Sequence, residues 1–327
     1  MLELKRAHLM ASIPSRNRLM QTLGHMITSG VPIDQFSLMK LIDASLSARG
    51  FRPPCLLFTQ FQDSIDSDLC NSIIQRFNGL KKYVHSVFVY TQMRQIGICP
   101  KYSTFPSVIK AVAQFSYGLL GQWIHCCMIK KGLESAIHVG TALASMYFSC
   151  FLTRDARKVF DQMPERTLIS WNALLTGYTH NRMFREAIGS FREMQNEGAE
   201  PDEVTVVEAL SACGHLGALN QGKWIHDYIK HNKLTLNLIV GTGLIDMYAK
   251  CGVVDKAENV FGEMRKKDKY AWNVLIFGYA LNGQGESALK SFNRMIVEDV
   301  KPDHLTFLAV LCACCHQGLA DEGRRFF

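Results

Sequence analysis

Long apolar runs are missing from this chain of 327 residues. The best stretch, Phe307 to Cys315, is about half of the roughly 18 residues a membrane-spanning helix needs. No membrane span is expected. Charge is modest: 20% of residues are charged and the net charge is +7. That balance suits a nucleic-acid partner, although many proteins without one share it. No charge run or low-complexity tract appears, and 48% of residues are hydrophobic, so disorder is excluded for most of the chain. The eleven cysteines are scattered through apolar helical contexts, unlike the dense framework of a disulfide scaffold. They read as buried thiols of a reducing compartment.

Catalytic signatures are scarce as well. Gly222-Lys223 runs into Trp224, so no phosphate loop forms there. There is no nucleophile elbow and no His-Glu-x-x-His. Cys312, Cys314, Cys315 and His316 crowd together with a zinc-like spacing, but a second ligand pair is lacking. Cys314 also aligns with Cys213 in another copy of the same segment, which points to a core position. No metal, cofactor or enzymatic activity is expected.

What the chain has is repetition. Ser170-Trp171-Asn172-Ala173-Leu174-Leu175-Thr176-Gly177-Tyr178 returns 101 residues later as Ala271-Trp272-Asn273-Val274-Leu275-Ile276-Phe277-Gly278-Tyr279. Gln122-Trp123-Ile124-His125 returns as Lys223-Trp224-Ile225-His226, and Pro201-Asp202 as Pro302-Asp303, at the same offset. The recurrence of His125 as His226 argues for a structural histidine rather than a unique base. Each block divides into units of 35, 31 and 35 residues. The approximate units are 16–34 (partial), 35–66, 67–101, 102–136, 137–167, 168–202, 203–237, 238–268, 269–303 and 304–327 (partial). Residues 1–15 carry Lys5 and Arg6 against Glu3, with more base at Arg16 and Arg18. They read as a transit peptide or a disordered N-terminus.

Each unit is expected to be two helices. Trp171, Leu174, Leu175 and Tyr178 lie at i, i+3, i+4 and i+7, a single apolar stripe. Ala187, Ile188, Phe191 and Met194 make a second stripe, and Gly198 and Pro201 end it. Neither helix can bury its stripe alone, so stacking pairs is the solution. The expected fold class is all-α, a solenoid of helix-turn-helix repeats.

The Trp-Asn start, the Gly-Tyr closing the first helix, the Glu-Met late in the second and the terminal Pro-Asp resemble the pentatricopeptide repeat. The 35, 31, 35 alternation resembles its plant subclass of mixed long and short units. Met163-Pro164-Glu165-Arg166 and Leu244-Ile245-Asp246-Met247-Tyr248-Ala249-Lys250-Cys251-Gly252 match that subclass's short unit. The resemblance covers roughly residues 16 to 327. It implies a right-handed superhelix that binds single-stranded RNA, one base per unit.

By that resemblance, the fifth and last residues of a unit choose the base, and the second packs on the base plane. Asn172 with Asp202, and Asn273 with Asp303, resemble the uracil-reading pair. Thr242 with Asp268 resembles the guanine pair. Thr141 with Thr167 suggests a weak purine preference. Asn71 keeps the pyrimidine-favouring residue, while its partner Lys101 departs from the pattern. Pro106 and Val207, in the long units, match no understood pair and read as spacers. Ile169, Ile239 and Tyr270 are the expected stacking residues, and Asp68 and His138 depart from them. An Asn at a helix start and a Pro-Asp at a unit end also suit a cap and a turn.

Relatives of this subclass can end in a deaminase-like domain, whose chemistry needs His-x-Glu and Pro-Cys-x-x-Cys. Neither occurs here. A role at a C-to-U editing site therefore calls for a deaminase-containing or other editing-complex protein in trans, in the mitochondrion or chloroplast. The rival expectation is a protein-binding scaffold of the tetratricopeptide kind.

Overall fold

The computed structural model describes residues 65–132, 137–232 and 234–326. The expected leader at 1–15 and the units 16–34 and 35–66 lie outside the described residues, save for Ile65 and Asp66. Among the described residues there are sixteen helices and no strand. The chain forms two compact units, Met1–Leu152 and Thr153–Phe327.

The first unit holds α1 (Ser67–Gly79), α2 (Tyr83–Gln95), α3 (Thr104–Ala113), α4 (Gly118–Ile129) and α5 (Ile137–Ser149). The second holds α6 (Thr153–Asp161), α7 (Leu168–His180), α8 (Phe184–Asn196), α9 (Glu203–Leu216), α10 (Leu219–His231), α11 (Leu238–Lys250), α12 (Val254–Glu263), α13 (Lys269–Leu281), α14 (Gly285–Val297), α15 (His304–Gln317) and α16 (Ala320–Phe326). In the second unit the odd-numbered helices stack in chain order, each also packing on the even-numbered helix that follows it. In the first unit α1 packs on α3 and α3 on α5 in the same way.

The sequence stripes become the core. Trp171 and Trp272 are fully buried, against Phe160 at 4.7 Å and Phe261 at 4.5 Å between ring centroids. Rings this size dominate core energetics, and the edge-on geometry adds to their burial. Helices also approach closely where a side chain is missing: a Cβ on Gly121 would meet Met146 Sδ at 2.7 Å.

Both ends of the odd-numbered helices are chemically specified. Six of their N-caps sit in extended backbone: Asp66, Thr167, Asp202, Asn237, Asp268 and Asp303 each accept a first-turn N–H through the side chain, whereas Ser103, the cap of α3, lies in helical backbone and makes no such bond. At the other end the chain turns through a left-handed residue: Lys81, Ser116, Phe151, Arg182, Gly217, Gly252, Gly283 and Gly318. In seven of these eight turns the next residue's N–H reaches back five positions, as Met183 N does to Tyr178 O at 2.9 Å. Where both helices lie in one unit, that left-handed step swings the even-numbered helix back alongside its partner.

Candidate nucleic-acid interface

The base-choosing residues fall at the starts of the odd-numbered helices. Asn172 lies in the first turns of α7, and Asp202 is the cap of α9. Asn172 Nδ2 donates to Asp202 Oδ2 at 3.0 Å, while Asp202 Oδ1 accepts from Thr205 N at 2.9 Å and from Thr205 Oγ1 at 3.0 Å. One carboxylate therefore caps a helix with one oxygen and holds the preceding unit's asparagine with the other. Asn172 Oδ1 is sealed from solvent and has no partner among the described residues. An acceptor in that state costs about 1–3 kcal/mol.

The second copy differs in detail. Asn273 Nδ2 donates to Asp303 Oδ1 at 3.0 Å, and that same oxygen takes Leu305 N at 3.0 Å and Thr306 N at 3.1 Å. Thr306 Oγ1 donates to Asn273 Oδ1 at 2.6 Å. Asp303 Oδ2 faces Lys269 Nζ at 3.5 Å. The Thr306 N–H bond, helped by Asn273, the Thr306 hydroxyl and Leu305 N and opposed by desolvation, holds the Asp303 carboxyl down at about 2. It is ionised throughout the neutral range.

Thr242 and Asp268 share a groove of about 430 Å³ with Ile239, Tyr270, Val207 and Asp246. Asp268 Oδ1 caps α13 through Ala271 N at 2.9 Å, and its Oδ2 has no partner among the described residues. Ile239 and Tyr270 are 61% and 56% exposed. The adjoining groove, about 270 Å³, is lined by Tyr270, Asn273, Phe277, Leu305 and Leu308 among others. Tyr270 thus walls two successive grooves, one per repeat. Lys269 Nζ lies 5.3 Å from its ring centroid.

In the first unit the arrangement is different. Asn71 and Lys101 have other partners: Asn71 Nδ2 donates to Ser103 Oγ at 3.2 Å, and Lys101 Nζ pairs with Asp68 at 2.6 Å. A lysine cannot cap a helix, and Asp68 is the nearest carboxylate. Thr141 lies in the first unit, where its carbonyl accepts from Ser145 Oγ at 2.9 Å. Thr167 lies in the second and caps α7 through Ser170 N at 3.3 Å. Ile169, at the second position of its repeat, is 66% exposed.

Sequence inspection overlooked two residues of the same column. Val204 and Leu305 hold the second position of their units and are exposed like Ile169, Ile239 and Tyr270. Their register position marks them out, and their exposure separates them from the core. The column is therefore apolar through five consecutive repeats of the second unit. In the first unit it reads Asp68, Ser103 and His138. At the Cys-His cluster, Cys312 Sγ and His316 Nε2 lie 3.9 Å apart, Cys314 is buried with its thiol pushed up by desolvation, and no three His, Cys, Asp or Glu side chains converge among the described residues.

A family model described as "PPR repeat family" matches residues 166–215 and 267–316, and one described as "PPR repeat" matches 242–268. A pentatricopeptide repeat-containing protein of Arabidopsis thaliana is 35% identical over 313 residues, 94% of this chain and 53% of that protein. A second from Arabidopsis, named as chloroplastic, is 38% identical over 262 residues, 80% of this chain and 43% of that protein. The chain spans about half, or less, of the length of the curated relatives it matches. Among solved structures, the pentatricopeptide repeat protein PPR10 in complex with an 18-nt PSAJ RNA element superposes with a TM-score of 0.70 at 20% identity, covering 94% of this chain and 46% of that one. PPR10 from maize gives 0.69 at 19% identity, covering 94% of this chain and 45% of that one. The likeness to these structures is one of fold.

Proposed function

Since this chain belongs to the PPR repeat family, we propose that it binds single-stranded RNA by sequence, one base per repeat. The observation that carries this is the pair of successive grooves sharing Tyr270 as a wall. Each groove offers an apolar or aromatic face for stacking and polar groups beside it: Thr242 and Asp268 in one, Asn273 in the next. Stacking on such faces tolerates any base, and the polar pair then selects among them. Asn172 with Asp202 and Asn273 with Asp303 take uracil, Thr242 with Asp268 takes guanine, and Val207 leaves its base unread. Thr141 with Thr167 leans weakly to purines. Asn71 contributes little, because Lys101 is engaged by Asp68.

The chloroplastic naming of relatives supports an organellar setting. There the chain marks a C-to-U editing site, with deamination supplied in trans by a deaminase-containing partner. That RNA sits on a related PPR protein supports this over the scaffold alternative.

The test is selection of bound sequences from a random single-stranded RNA pool. The expected motif is uracil, any base, guanine, uracil at consecutive positions, in either strand polarity. Affinity should fall steeply with salt, as phosphate neutralisation requires. Tyr270→Ala should weaken binding by about 1–3 kcal/mol, the range for one base-aromatic stack. A pool that emerges unenriched, with salt-insensitive retention, would count against RNA reading and for a scaffold.

A further inference from the structure

The first unit exposes an apolar edge that the second lacks. Leu80, Val84, Phe115, Tyr117, Leu119 and Phe151 are each 45–79% exposed. They lie in or just after three consecutive turns: α1 to α2, α3 to α4, and the turn following α5. The turns adjoin one another. Tyr83 of the first meets Phe115 of the second at 6.4 Å between ring centroids, and Ser116 Oγ donates to Ser149 O of the third at 2.7 Å.

The internal repeat supplies the control. The residues 101 positions later are Asn181, Arg185, Leu216, Ala218, Asn220 and Gly252. Only Leu216 keeps its bulk, so the fold does not require apolar side chains here. Phe151 makes the point more sharply. It adopts φ +60° at a step where Gly217, Gly252, Gly283 and Gly318 stand in four later turns. A bulky residue in the left-handed region costs free energy that glycine avoids, and Phe151, 75% exposed, recovers little of it by burial. Strain held at an exposed aromatic residue points to a use for the side chain.

We propose that this edge docks an amphipathic helix of a protein partner, apolar on one face and acidic on its flanks. Lys81 and Lys82 are exposed along the rim. The same rim disfavours a second copy of this chain, whose cations would meet these. Three turns spaced by helix packing of 8–10 Å make a row of about 20 Å, the length of about 13 helical residues. The odd-numbered helices are about 20 Å long. The docking edge therefore lies at the opposite helix ends from the second- and fifth-position residues, and partner and RNA can be held together.

The test uses the full chain and an 18-residue synthetic helix with Leu and Phe at i, i+3, i+4 and i+7 and Glu elsewhere, followed by fluorescence anisotropy. The variant carries Leu80→Asn, Tyr117→Ala, Leu119→Asn and Phe151→Gly, each the residue found 101 positions later. Its melting temperature and RNA affinity should match the parent's, and its affinity for the peptide should fall at least tenfold. Phe151→Gly alone should melt no lower than the parent and lose part of the affinity. A peptide with Lys in place of Glu should bind at least fivefold more weakly than the Glu peptide. The proposal is overturned if the Glu peptide does not bind, if the Lys peptide binds equally well, or if the variant retains full affinity. It is also overturned if these side chains instead drive self-association in sedimentation or binding to phosphatidylserine vesicles.

Discussion

Asp268→Asn exchanges a carboxylate oxygen for an amide donor in the groove beside Thr242. Guanine's pairing edge presents N–H donors at N1 and N2, which an ionised carboxylate can accept. Adenine presents an acceptor at N1 and a donor at N6, which an amide can satisfy and a carboxylate cannot. The structure makes this exchange clean. Asp268 Oδ1 caps α13 through Ala271 N at 2.9 Å, and Asn caps helices as well as Asp does. Its Oδ2, without a partner among the described residues, is the atom the substitution changes. Discrimination by one well-placed pair is worth about 1–3 kcal/mol. At tenfold per 1.4 kcal/mol, the guanine-to-adenine ratio should fall by about fivefold to 150-fold. Two RNAs differing at this one base, titrated against both proteins, measure it. Asp268→Ala is the companion: it should lose about 1 kcal/mol of stability with the cap and lose guanine preference without gaining adenine. If Asp268→Asn melts like the parent and leaves the ratio unchanged, Asp268 is a cap only and the reasoning fails.

Two further outcomes follow from the core. Trp272→Ala should cost about 3–5 kcal/mol in denaturant unfolding, since the ring is fully buried against Phe261. Trp224→Ala, at a half-exposed ring, should cost clearly less. Stability should also fall on acidification. Burial holds His85, His215 and His226 below their ordinary range, with nearby lysines adding to it. The native state therefore favours the neutral rings. The unfolded chain protonates first, near the ordinary value of about 6.5, so stability is full above that pH and is lost as pH falls toward the folded values. Melting temperatures at pH 7.5 and 5.5 should show the drop, and His226→Gln should lessen it. An equal drop in His226→Gln would mean that His226 titrates freely despite its 2.9 Å contact with the Tyr248 hydroxyl.

Helix pairing was legible because the apolar stripe around Trp171 repeats at helical spacing and returns intact around Trp272. The roles of Asp202, Asp268 and Asp303 were only half legible. Cap and base-reader looked like competing roles, because a sequence does not show that the two oxygens of one carboxylate can be used separately. Asp202 does so in the folded chain, with Oδ1 on Thr205 N and Oδ2 on Asn172. The Lys101–Asp68 pair spans 33 residues, beyond any local pattern. Val204 and Leu305 pass for core residues until their exposure is known. Phe151, between Cys150 and Leu152, does too: its exposure follows from a left-handed backbone step that only a folded turn reveals.

Tyr270 belongs to two grooves at once, and this sets a frame on the strand. A base cannot be skipped between grooves that meet at one shared side chain. An RNA with one nucleotide inserted between the guanine and the following uracil must bulge it outward or shift every later contact by one repeat. Deleting or inserting a nucleotide should therefore harm recognition more than substituting one, much as a frameshift outweighs a missense change in a translated message.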